Sequence, residues 1–290
     1  MAKKLLLCIL LLFTASGCGQ KQKAEPAAGE NVKKASGEKG GEAPSGKEEK
    51  PPAQESEGMS ERQDEEDSDG KPKETAVQAA SKYRVNPNDW SIIPLKDAAK
   101  KVALLTIDDA PDKYAVEMAA ILKEKGVHAI FFVNGHFIKT GEGKAKLKKI
   151  HDLGFTIGNH TYDHVNLKEI SEEEQSRQII SLNDEIEKII GERPKFFRAP
   201  FGANTSHSRQ VASNEKMIVM NWTYGYDWEA SYQNSPALTN IMVNSPLLRD
   251  GANLLMHDRQ WTKEALPGII DGLRKRGFGI VDPREIEVME

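Results

Sequence analysis

Cysteine is nearly missing from this 290-residue chain: there are two, Cys8 and Cys18, both close to the N-terminal end. Everything after them can form no internal disulfide, so any core must be held by packing. A long hydrophobic run is missing as well, because the longest, Leu5 to Phe13, is too short to cross a bilayer comfortably. Nor is there an excess of charge of one sign. Lys and Arg number 40 against 44 Asp and Glu, a formal net charge of -4 that carries no nucleic-acid signal. Aromatic residues are absent from Gly19 to Ser81, and large aliphatics nearly so. A stretch of Lys, Glu, Gly, Pro and Ser cannot bury enough apolar surface to offset chain entropy, and it reads as a disordered tail.

What is present begins with Lys3 and Lys4, the short apolar run, and then Ala15, Ser16 and Gly17 before Cys18. That order is the order of a secretory signal. The small residues before a cysteine resemble the lipobox of bacterial lipoproteins, which implies cleavage before Cys18 and a diacylated thiol, a lipid anchor in the cell membrane. Ala15 departs from the Leu usual at its position, and an ordinary signal peptide cleaved nearby, with Cys18 incidental, is the alternative. Export is common to both. The stretch from 18 to 81 is then a linker; as a flexible coil of about 60 residues it would span roughly 45 Å on average. A tether through a cell wall and a merely solubilising tail have the same composition. The acidic run "ERQDEEDSDG" reads as a solvated segment.

From Tyr83 onward the aromatics return, and about 200 residues suffice for one large core. Apolar runs rich in branched or aromatic residues ("VALLTI", "VHAIFFV", "FTIGNH", "KFFRAP", "MIVMNWT", "ANLLMHD", "GFGIVDP") alternate with amphipathic stretches such as "YAVEMAAILKEKG" and "SEEEQSRQIISLNDEIEKIIG". In the second of these, Ser171 and Glu174 have capping-box spacing and Gly191 is a stop signal. Repeated strand-helix alternation argues a parallel sheet, and six or seven such units fit a closed or nearly closed barrel better than an open sheet.

In such folds reactive groups gather at the carboxyl ends of strands. Read in order, those ends offer Asp108 and Asp109, then His160 and His164, then Arg198, then Asp227 and Trp228, then His257 and Asp258. His160 and His164, four apart, reach one side through a helical turn or a tight loop. Two His and a carboxylate leave positions open on a divalent ion, as catalytic sites require. Side chains of adjacent residues on an extended strand diverge, so Asp108 and Asp109 should have different jobs, one binding metal and one acting as a base on metal-bound water. A bland reading remains open, in which both acids cap the segment that begins at Pro111.

The motifs "TIDDAP", "HTYDH", "RAPFG", "DW" and "LLMHD", in this order and spacing, resemble those of the polysaccharide deacetylases with the NodB-homology domain, carbohydrate esterase family 4. The likeness runs over roughly residues 98 to 283. It implies an α/β fold, a distorted (β/α) barrel over residues 82–290, and a hydrolase that removes acetyl groups from a sugar polymer. It implies that Asp109, His160 and His164 bind one divalent metal, usually Zn2+, with Co2+, Ni2+ or Mn2+ able to serve. Asp108 would be the base, paired with Arg198, and His257 the acid that protonates the leaving amine, oriented and charged by Asp227. The backbone N–H of Phe201 would help to stabilise the developing oxyanion, Leu254 and Leu255 would form an acetyl pocket, and Trp228 would line the groove.

Two positions depart from the family's pattern: Ala110 stands where Gly is usual after the two acids, and Tyr224 where an acidic residue often stands. A left-handed backbone at 110 would make Ala costly. His136 is a candidate for the groove rim; His128, His151 and His207 read as structural or exposed, Asp258 as a cap or loop brace, and Gly202 as the glycine of a tight turn. The expectation is a monomeric, exported deacetylase of N-acetylated cell-wall glycan such as peptidoglycan, on the outer face of a membrane, a Gram-positive cell being preferred. The alternatives are a wall-binding lipoprotein with little turnover and a deacetylase of a secreted polysaccharide.

Overall fold

The computed structural model describes residues 81–289. The expected signal peptide, the expected lipidation site Cys18 and all but the last residue of the expected linker lie outside the described residues. The elements are β1 (Tyr83–Val85), β2 (Ile92–Pro94), β3 (Val102–Ala110), α1 (Ala115–Glu124), β4 (Ile130–Val133), α2 (Gly141–Asp152), β5 (Thr156–Asn159), α3 (Glu172–Ile190), β6 (Phe196–Phe197), α4 (Ser206–Asn214), β7 (Ile218–Val219), α5 (Ser235–Asn244), β8 (Ala252–His257), α6 (Gln260–Lys275) and β9 (Gly279–Ile280). All seven runs picked out in the sequence are strands, and all pair in parallel in the order β7-β6-β5-β4-β3-β8, with β9 alongside the start of β3. β1 and β2 form a separate antiparallel hairpin.

The sheet curls into a half-barrel rather than closing by a full ladder. Beyond β7 the chain swings to the far edge of the sheet, where Tyr224 makes a single parallel pairing with Leu254 of β8. Thr223 N–H donates to Asn253 O at 2.9 Å and Leu255 N–H to Tyr224 O at 2.9 Å, so the seam is bridged at one point. The Tyr224 hydroxyl, donating to Met242 O at 2.6 Å, ties that bridge to α5.

β3 shows how the strand pattern loads both sides of the curl. Val102 and Leu104 pack inward with Phe132 and Phe196, while Ala103, Leu105 and Ile107 pack outward against helices that include α1 and α6. A parallel strand buried on both faces has to read as a nearly continuous apolar run, and this one does. The helices carry the complementary stripe: α3 buries Gln175, Gln178, Ile179, Leu182, Asn183 and Ile186, spaced three and four apart. Its N-terminus corrects the capping-box expectation by half. Ser171 accepts from Glu174 N–H at 3.2 Å, but the Glu174 carboxylate is drawn away by Arg177, at 2.6 and 2.7 Å. Gly191 ends the helix with φ 82°, as the stop signal required. No helix among the described residues is long and apolar enough to cross a membrane.

Candidate active site

The alternation that puts Val102, Leu104 and Asp108 on the inner face of β3 should turn Asp109 outward. It does not, and the expectation that the two acids diverge is corrected here. The pairing of β3 with β4 slips between Ile107 and Ala110, and Asp109 has a left-handed backbone with φ 59°. The bulge rotates Asp109 back to the inner face, so both carboxylates meet His160: Nε2 lies 3.5 Å from Asp108 Oδ2 and 4.0 Å from Asp109 Oδ1. The left-handed residue is therefore the Asp; Ala110, fully buried and paired with Val133, is not left-handed and bears no such cost.

Left-handed backbone recurs around this point. Of seven such non-glycine residues among those described, four are Asp109, Thr161, His164 and Phe201. Each costs about 1–2 kcal/mol, which the surrounding packing has to offset, and such strain concentrates at functional sites. At Thr161 and His164 it makes the tight loop, rather than a helical turn, that brings the two imidazoles edge to face with centroids 5.0 Å apart. Asn134 Nδ2 braces this loop by donating to the carbonyls of His160 and Thr161, and Asn159 Oδ1 accepts from Thr161 N–H at 2.9 Å.

His160 Nδ1 lies 2.7 Å from the carbonyl of Arg198. A carbonyl can only accept, so Nδ1 carries the proton and Nε2 offers its lone pair to the site. Asp109, His160 and His164 each present a ligand atom, all within 4.8 Å of one another. That donor set, with a fixed tautomer behind one imidazole, fits a divalent ion. Burial, with help from the neighbouring His160, pushes the His164 pKa down and favours the neutral, ligating form. Burial works against the Asp109 charge, but the histidines around it and Arg259 hold its carboxyl below the usual range.

Two ion pairs flank the cluster. Arg198, wholly buried, donates from Nη1 to Asp108 Oδ1 at 2.6 Å and to Thr106 Oγ1 at 2.8 Å, and from Nη2 to Asn221 O at 2.8 Å. Its guanidinium lies 4.2 Å from the centre of the Phe132 ring. On the other side His257 Nδ1 meets Asp227 Oδ1 at 2.7 Å, while Asp227 Oδ2 accepts from His257 N–H at 2.6 Å and Thr262 Oγ1 at 2.8 Å. Burial opposes protonation of His257, but the hydrogen bond and charge of Asp227, aided by Asp108 and Asp109, raise its pKa above the ordinary imidazole value.

Asp108, Asp109, His160, His164, Asp227 and His257 line a pocket of about 590 Å³. Phe201, 67% exposed and edge-on to His164, forms one wall, with Gly202 completing the turn at φ 66°. Trp228, 46% exposed, stands edge-on to His257 as another wall. Leu255 lines the pocket, whereas Leu254 is fully buried on the outer face among the helices; the acetyl-pocket expectation is corrected for Leu254, because neighbours on a strand face opposite ways. His136 is outside the lining, against Tyr162 O and Phe137. His128, His151 and His207 pair with surface acids. Asp258 accepts from Tyr114 N–H at 2.6 Å, so it braces the start of α1. Sequence reasoning missed Arg259, whose Nη2 donates to Asp109 Oδ2 at 2.7 Å, and the lining residues Trp222, Gln233 and Trp261. Arg259 had one available signal, its place two residues after His257.

A family model described as polysaccharide deacetylase matches residues 95–219. A chitooligosaccharide deacetylase of Azorhizobium caulinodans is 31% identical over 196 residues, which cover 61% of this chain and 90% of that protein. A peptidoglycan-N-acetylglucosamine deacetylase of Bacillus cereus is 30% identical over 193 residues, 63% of this chain and 66% of the relative. The uncharacterised Bacillus subtilis protein YlxY is 30% identical over 170 residues, 58% of this chain but only 51% of its own length. Among solved structures, a carbohydrate esterase family 4 pseudoenzyme from Bacillus anthracis is similar with a TM-score of 0.59 and 29% identity, over 66% of this chain and 69% of that one.

Proposed function

This chain belongs to the polysaccharide deacetylase family, and from that premise we propose that it is a metal-dependent hydrolase removing N-acetyl groups from cell-wall glycan such as peptidoglycan. One observation carries the reading. A two-histidine, one-carboxylate cluster within 4.8 Å stands between an Asp108–Arg198 pair and a His257–Asp227 pair, the ligand, base and acid that amide hydrolysis needs. A divalent ion held by Asp109, His160 and His164 supplies Lewis acidity to the acetyl carbonyl and lowers the pKa of water.

The chain's own residues do the rest. Asp108 accepts the proton of the attacking water, its position fixed by Arg198, which is itself braced by Thr106. Water oxygen adds to the acetyl carbon, and the backbone N–H of Phe201 would help to hold the charge that develops on the carbonyl oxygen. His257, protonated on Nδ1 toward Asp227, delivers a proton from Nε2 to the departing nitrogen. The C–N bond breaks, leaving acetate and a free amine. Leu255 gives the acetyl methyl an apolar neighbour, and Trp228 offers a ring face to a sugar.

The signal-like N-terminus, the small residues before Cys18 and the tether-like composition support an exported domain anchored by lipid and facing the wall. Similarity to the Bacillus cereus deacetylase supports peptidoglycan as the substrate. A second reading, a wall-binding protein with little turnover, draws on the likeness to the Bacillus anthracis pseudoenzyme. Occupation of every ligand, base and acid position weighs against it.

The test is acetate release by the purified full-length chain from chitooligosaccharides and from isolated peptidoglycan, with and without a chelator. Chelator-sensitive release is the expected result, and the preferred polymer sets the substrate class. Zinc binding without release from either polymer would replace this reading with the wall-binding one or with a deacetylase of another polysaccharide.

A further inference from the structure

Arg259 caps the start of α6 with its backbone and turns its side chain into the pocket. Nη2 donates to Asp109 Oδ2 at 2.7 Å, and Nη1 donates to the carbonyl of Asp258 at 2.9 Å, so the guanidinium is held at two points. The Asp109 carboxylate is thereby divided. Oδ1 faces His164 Nε2 at 3.4 Å and His160 Nε2 at 4.0 Å, while Oδ2 is taken by the arginine.

Charge completes the picture. Asp108 is matched by Arg198 and Asp109 by Arg259, so the two carboxylates nearest the histidines are each offset by a guanidinium before any ion arrives. A cation bonded to the far oxygen of a ligand acts in two opposing ways. It orients the carboxylate, which ordinarily strengthens metal binding about 10–100-fold, and it repels the ion. Orientation is already supplied here by the backbone, since Asp109 sits at φ 59° in a bulge between paired segments of β3 and β4. Repulsion is the effect left over. Solvent reaches the guanidinium, with 37% of the side chain exposed, and this screens the repulsion without abolishing it.

We propose that Arg259 occupies Asp109 Oδ2, leaving one oxygen free for ligation, and by its charge keeps the affinity of the site for a divalent ion below what Asp109, His160 and His164 would reach alone. This rests on the reading that those three residues hold such an ion. It adds a determinant of metal retention to the site, separate from the acid and base.

The experiment measures zinc affinity of the metal-stripped full-length chain by competition with a chromogenic chelator, for the wild type, Arg259→Gln, Arg259→Ala, Arg259→Lys and His160→Ala, with melting profiles as the check on folding. Both neutral variants should bind zinc about ten-fold more tightly or better, since a like charge a few ångströms from the ion has been removed. Arg259→Lys, which keeps the charge and loses the fork, should stay near the wild type. Zinc binding by either folded neutral variant that is unchanged or weaker overturns the proposal. No saturable zinc binding by the wild type, or undiminished binding by His160→Ala, overturns the metal reading itself and this proposal with it.

Discussion

At His257 burial and charge pull in opposite directions, and the charge of Asp227 wins. The raised pKa has a stated sign for both activity and stability. In the proposed role of acid to the leaving amine, His257 should stay competent above the ordinary imidazole value of 6.5, and Asp227→Asn should move the basic limb of kcat/KM to lower pH. The same pair stabilises the fold fully below the unfolded value of 6.5 and loses that contribution as pH rises through the higher folded value. The melting-temperature gap between wild type and Asp227→Asn should therefore be widest in mild acid and narrow toward alkaline pH. A gap independent of pH would remove His257 as its cause. The two adjacent leucines offer a second contrast, because strand alternation sends them to opposite faces. Leu254→Ala should cost about 2–5 kcal/mol of stability by denaturant melts, with little change in activity per folded molecule. Leu255→Ala should instead lower kcat/KM for acetyl substrates and relax discrimination against longer acyl groups.

Among the elements, the weakest seam of the half-barrel is the single pairing of Tyr224 with Leu254. Gly225 lies beside it, and a Cβ there would come within 2.4 Å of the Leu255 carbonyl oxygen and 2.8 Å of Trp228. Backbone cannot give way as a flexible side chain can, so Gly225→Ala should push the segment off β8. We expect a loss of about 1–3 kcal/mol in stability together with a fall in kcat/KM, because Leu255 and Trp228 both line the pocket. Retention of wild-type values for both would mean the seam is soft. Some elements were plain in the sequence: α3 has a buried stripe of six residues built around Ile179, Leu182 and Ile186, an N-cap serine and a terminal glycine. Others were not. α4 and α5 are nine and ten residues long and bury three side chains each, too little periodic signal to stand out from loop. Their stability comes from packing, α4 against α3 and α5 against α6.

For the whole molecule, the proposed ion binding would be linked to folding, since its three candidate ligands come from β3 and from the loop after β5 and cannot meet in the unfolded chain. Zinc at a hundred times its Kd adds about 2.7 kcal/mol, which for a domain of this size raises Tm by roughly 5–10 °C. His160→Ala should abolish that shift in a thermal scan. Asp108→Asn should keep it while losing turnover, since the base is not among the three ligand residues. Equal loss of both in Asp108→Asn would merge base and ligand into one role.

The amino-acid sequence by itself determined the parallel strand-helix alternation, the order of chemistry-bearing residues at the strand ends, and the pairing of a two-histidine motif with an acidic one. Those depend on local periodicity and residue type, which a linear string records. Tertiary structure alone decided three further matters. It turned Asp109 to the same face as Asp108, because a slip in strand pairing and a left-handed backbone override period-two alternation. It assigned Leu255 to the pocket and Leu254 to the core, because which face of β8 looks inward depends on the curl of the sheet. It set Arg259 against Asp109, 150 positions away, because β3 and β8 run side by side in parallel and bring their carboxyl ends to one place.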